Sequence, residues 1–155
     1  MDKLTIDGIG EFIRGEQNLE REFCFCGQTI PLFVYPKNET PTPAWTASMR
    51  QMYEQFSMHH AKEIKRLPEF VKPLCREYEM YDGQAFPWSD EELLNSITWF
   101  NIKITDETYR RKEGELVRDR IVECCGDSDL ENLANFTIIV GFEEGKKLSY
   151  AHFDG

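Results

Sequence analysis

The last twenty residues constrain this chain most. Residues 136–142 and 147–153 are two β-rich runs, and Glu143, Glu144, Gly145 and Lys146 between them make a short, charged turn with a glycine. That pattern predicts an antiparallel hairpin. A lone hairpin is marginal in water, so one this apolar needs a larger sheet and a core to face. The remaining strands must therefore be found upstream.

The first forty residues supply some of them. Residues 4–6 and 11–13 are short apolar runs split by Gly8 and Gly10. Residues 22–26, then Gly27 and Gln28, then residues 29–35 predict a second hairpin. Phe23 and Phe25 alternate with Cys24 and Cys26, so one face carries aromatics and the other thiols. Pro31 has no donor, which predicts an edge strand or a bulge.

Residues 36–43, with prolines at 36, 41 and 43, read as a loop. Thr42 before Pro43 predicts a helix start, and the helix runs to about residue 66. Its stripe is Trp45, Met49, Met52, Phe56, His60, Ile64 and Leu67, in steps of three and four. A second helical stretch follows Pro68, with Val71, Leu74, Tyr78 and Tyr81 on one face, a kink at Pro73 and an end at Gly83. Ser89 with Glu92 forms a capping box for a short helix over residues 90–96. Residues 98–104 read as a strand, 107–113 as a charged turn, and 116–125 as another strand. Residues 126–135 read as an acidic connection with about one helical turn. Strands, helices and strands follow in separate blocks. That order predicts an α+β fold: an antiparallel sheet of the N-terminal hairpin and the C-terminal strands, with two or three helices packed on one face.

Length and composition fit one domain over residues 1–155 with a substantial core. Of the 155 residues, 41% are hydrophobic and 13% aromatic, which separates the chain from disordered sequences. No apolar run reaches the length of a membrane span, and the first residues lack a signal-peptide layout. Five cysteines (Cys24, Cys26, Cys75, Cys124 and Cys125) predict free thiols in a reducing compartment. The expected location is the cytoplasm. Net charge is −10, with the acidic excess in the two flanks of the chain. Such a field repels nucleic acid and anionic membranes and attracts basic partners.

No motif carries chemistry. Neither a phosphate loop nor a Gly-x-Ser-x-Gly elbow occurs. Residues 127–131 lack the glycine and terminal glutamate of a calcium loop. Cys24 and Cys26 offer a thiol pair, and His59 with Glu63 four residues on offers a helical ligand pair. Together they define an alternative reading as a small metal-binding protein or enzyme. Against it, the Cys-x-Cys and adjacent Cys124-Cys125 spacings differ from those of zinc sites, and no cofactor is implied. Cys75 lies on a core face with no base placed beside it. Tyr81, Phe86 and Trp88 form an aromatic loop cluster that reads as a binding hot spot or as a plug over the core.

The second half resembles a group of small bacterial domains of unknown function. The residues that carry the likeness are 99–104, 116–122, Asp127 with Asp129, and 136–155. Many such domains resemble immunity proteins encoded beside polymorphic toxins. The resemblance implies a non-enzymatic, protein-binding role, neutralising a toxin inside the producing cell. An acidic protein suits a basic partner. The expected contact residues are Asp127, Asp129 and Glu131, with Glu143 and Glu144 at the hairpin turn.

Overall fold

The computed structural model describes residues 2–36, 45–81, 85–105, 108–112 and 114–155, with residues 108–112 and 115–119 described through their backbone. Four strands open the chain: β1 (Lys3–Ile6), β2 (Gly10–Arg14), β3 (Leu19–Phe25) and β4 (Gln28–Tyr35). Next come α1 (Ala47–Glu63), a 3-10 turn (Ile64–Arg66), α2 (Leu67–Glu77) and α3 (Asp90–Asn95). The second strand block is β5 (Ile97–Thr105), β6 (Thr108–Lys112), β7 (Glu115–Asp119), β8 (Ile121–Ser128), β9 (Thr137–Glu143) and β10 (Lys147–Asp154). A 3-10 turn (Leu133–Asn135) links β8 to β9. Eight strands make one sheet in the order β1-β2-β3-β4-β5-β8-β9-β10, and β6 pairs with β7 in a small separate sheet. The α+β class and the two terminal hairpins are as the sequence predicts.

The all-antiparallel expectation needs correction. β4 and β5 pair in parallel, while every other pair in the large sheet is antiparallel. A parallel neighbour requires a long crossover, and the helical block between β4 and β5 supplies it. Pro31 is also not on an edge strand. β4 pairs with β5 only over residues 32–35, so the missing N–H falls where that ladder has not begun. Below that point the Gln28 side chain bridges the gap. Its Nε2 donates to the Ile97 carbonyl at 2.9 Å, and its Oε1 accepts from the Trp99 N–H at 2.8 Å.

The β3–β4 turn sits one residue earlier than expected. Cys26 and Gly27 both take left-handed backbone, with φ of 53° and 75°, as a two-residue hairpin turn demands. Gln28 therefore opposes Phe25 and opens β4. The expected strand over 116–125 is two strands that break at Arg120, and the charged region before it is the β6–β7 hairpin. Arg120 leaves the ladder to tie elements together. Its guanidinium donates to the Ser48 carbonyl and Gln51 Oε1, and it pairs with Glu144 at 3.0 Å.

Helix α1 starts later than expected. Thr46, not Thr42, is the N-cap, and its hydroxyl accepts from the Met49 N–H. Thr42 and Pro43 lie outside the described residues. α2 runs through Pro73 and stops at Glu77, short of Gly83, which is also outside them. Tyr78 is not buried as its stripe implies, and Cys75 takes the inward position. The Ser89–Glu92 capping box is complete.

The register fixes which side chains share a face, since directly opposed residues point the same way. Leu32, Ile102, Cys124, Val140 and Ala151 form one row across β4, β5, β8, β9 and β10. The first four are fully buried, in a core shared with Met49, Met52 and Phe56 of α1 and with Leu67 and Val71 at α2. Phe23 and Phe25 reach Phe56 with ring centroids 5.3 and 5.8 Å apart, while Cys24 stays exposed on the other side. Tyr81 and Trp88 settle the aromatic loop as a plug. Trp88 Nε1 donates to the Tyr81 hydroxyl, which donates to the Glu131 carbonyl.

Candidate functional site

The sheet has a second face, away from the core. Its residues follow from the same register: Glu20 and Glu22 on β3, Pro31, Phe33 and Tyr35 on β4, and Asn101 and Lys103 on β5. Glu123, Cys125 and Asp127 continue it on β8, Ile139 and Glu143 on β9, and His152 and Asp154 on β10. Acids outnumber bases across these rows. Apolar groups lie between them: Phe33 and Tyr35 are tilted against each other with centroids 6.3 Å apart, and Tyr150 stacks on His152 at 5.7 Å.

The five expected contact residues are all exposed, but they occupy two ends of the sheet. Asp127 opposes Thr137 at one end of the β8–β9 ladder, and Glu143 opposes Ile121 at the other. Six residues of strand separate them, or about 20 Å at roughly 3.3 Å per residue. Asp127 accepts from the Thr137 hydroxyl. Asp129 and Glu131 lie beyond the end of β8, where the Asp129 N–H is held by the Ser96 carbonyl. Glu143 accepts from Ser149, and Glu144 is held by Arg120. Asp127 and Glu143 share the open face. Between them the structure adds Glu123, and at its two flanks Glu20, Glu22 and Asp154. Only the register reveals these acids as neighbours.

The thiols and histidines are arranged differently from the alternative reading. Cys24 and Cys26 line a cavity with His60, not with His59. Glu63 turns away to β10: its Oε1 accepts from the Leu148 N–H at 3.0 Å and from Arg66 at 2.8 Å. Burial pushes its carboxyl up, but the Leu148 N–H and Arg66 outweigh that and hold it below the usual value. Among the described residues no group of three His, Cys, Asp or Glu side chains is gathered to hold a metal ion.

Cys26, Cys75, Cys124 and Cys125 lack the features of activated thiols. Burial raises Cys26 to about 11, against a smaller opposing effect of the Trp99 indole. Burial also raises Cys75 to about 11, and it raises Cys124 and Cys125. A nucleophilic cysteine needs the opposite shift. All five are free thiols. Among the described residues no helix is long and apolar enough to cross a membrane.

Compared with known proteins, the chain matches no family model, no curated protein and no solved structure.

Proposed function

We infer that this is a cytoplasmic, non-enzymatic protein-binding domain that engages a basic protein through the open face of its sheet. The observation that carries the reading is the set of exposed acids on that face, Glu22, Asp127 and Asp154, with Phe33 and Tyr150 on a neighbouring row of the same face. The net charge of −10 supports it, because it accelerates encounter with a cationic partner. The six strands that carry these residues span five spacings of about 4.8 Å by about 20 Å of strand, or roughly 480 Å² of sheet, the scale of a small, transient contact. Among the described residues, the core that α1 and α2 share with the sheet lies on the opposite face.

The resemblance of residues 89–155 to immunity-like bacterial domains makes the partner a toxin, neutralised inside the cell that makes it. A nuclease toxin is basic because it holds phosphates, and an acidic surface covers the same groove. The test is affinity capture from the native host at about 50 mM salt, repeated near 200 mM. The expected result is one basic protein, encoded beside this chain, whose retention falls steeply with salt. Recovery of no basic protein at low salt sinks the reading.

A further inference from the structure

The β3–β4 turn, the end of α1 and the end of α3 line a half-open cavity of about 420 Å³. Its walls include Cys24, Cys26, His60, Ile64, Lys65 and Leu94. The volume lies within the range of small-ligand sites, about 300–1,000 Å³. Two departures from regular backbone meet at its wall. Cys26 holds a left-handed conformation that a non-glycine residue adopts at a cost, and α1 tightens into a 3-10 turn from Ile64.

The lining defines what fits. Ile64 and Leu94 offer apolar surface. His60 closes the inner side among Phe23, Phe25 and Phe56, with centroids 5.1, 5.5 and 5.2 Å away. Burial there favours its uncharged form, and its buried Nδ1 has no hydrogen-bond partner. Cys26 is also neutral. Lys65 is the one ionic group on the lining, and among the described residues no carboxylate pairs with it. Its neighbour Arg66 is shared by Glu63 and Glu69 instead. An uncompensated ammonium at the rim of a neutral, apolar cavity selects an anion with an apolar body.

We propose that this cavity binds a small organic anion, with its apolar part against Ile64 and Leu94 and its carboxylate or sulfonate at Lys65. The cavity sits at the hairpin turn, where Cys24, on the same face of β3 as Glu22, forms one of its walls.

The test uses 8-anilinonaphthalene-1-sulfonate, an apolar fluorophore with one sulfonate, titrated into the intact protein at neutral pH. The expected result is a single saturable site. Lys65→Glu should weaken it at least tenfold. Ala61→Trp, which places an indole in the cavity from an exposed wall position, should abolish it. The bound probe should also slow alkylation of Cys24 and Cys26 several-fold. Absence of saturable binding, or equal binding by wild type and Lys65→Glu, overturns the proposal. Should Ala61→Trp melt early, the Lys65→Glu and alkylation measurements decide alone.

Discussion

Glu63 joins the end of α1 to β10, and replacing it tests how the helices are held to the sheet. Its carboxylate, with 17% of the side chain exposed, accepts from the Leu148 N–H at a β-bulge and from Arg66. Glu63→Ala leaves that N–H without its acceptor, and a hydrogen bond to a charged group contributes about 1.5–3 kcal/mol. The partly exposed ion pair adds at most about 1 kcal/mol. The expected loss is therefore about 2–3 kcal/mol, or roughly 5–10 °C in Tm for a chain of this size. Glu63→Gln keeps an acceptor and should lose about half as much. The pH dependence gives an independent check. The folded carboxyl titrates below its ordinary value of 4.5, so its contribution is complete above that value and is lost as pH falls through the folded pKa. Urea titrations of wild type and Glu63→Gln should differ at pH 7, and the gap should narrow as pH falls below 4.5. A gap that is absent at pH 7, or that widens as pH falls, would refute the reasoning.

Other perturbations test separate parts of the structure. Gly145 combines φ of 74° with a position where an added Cβ would collide with the Met52 carbonyl, so Gly145→Ala should cost more than about 2 kcal/mol by chemical denaturation. Gln28→Ala strips partners from the Ile97 carbonyl and the Trp99 N–H, and should lower stability by about 2 kcal/mol with a visible change in tryptophan fluorescence. With its pKa raised to about 11, Cys26 should be alkylated more slowly than an unhindered peptide thiol at pH 8, and buried Cys124 should react only on unfolding; mass spectrometry of the native protein checks both.

Local signals were legible where one residue type leaves few choices. The Ser89–Glu92 capping box, the C-terminal hairpin and the alternation of Phe23 and Phe25 with Cys24 follow from chemistry within a few residues. What escaped the sequence depends on distant partners. The parallel β4–β5 pair is decided by where the helical block returns the chain. The break at Arg120 is decided by Ser48, Gln51 and Glu144, all remote in sequence. Thr42 and Thr46 offer the same capping hydroxyl, and the helix uses Thr46, the residue next to its first turn. The acids divide the same way. Asp127 and Glu143 stand out in sequence, but Glu22 and Asp154 come to share a face with them only through the strand order.

The claim that the open sheet face binds a basic protein is tested most directly by charge reversal on opposite sides of the molecule. Capture from the native host would use wild type, a sheet-face variant (Glu22→Lys, Asp127→Lys, Asp154→Lys) and a helix-side variant (Glu69→Lys, Glu77→Lys, Glu91→Lys), all at exposed positions. Both variants change net charge equally, so only position differs. The expected result is one basic protein retained by wild type and by the helix-side variant, and lost from the sheet-face variant. Retention by the sheet-face variant, or loss only from the helix-side one, would contradict the account.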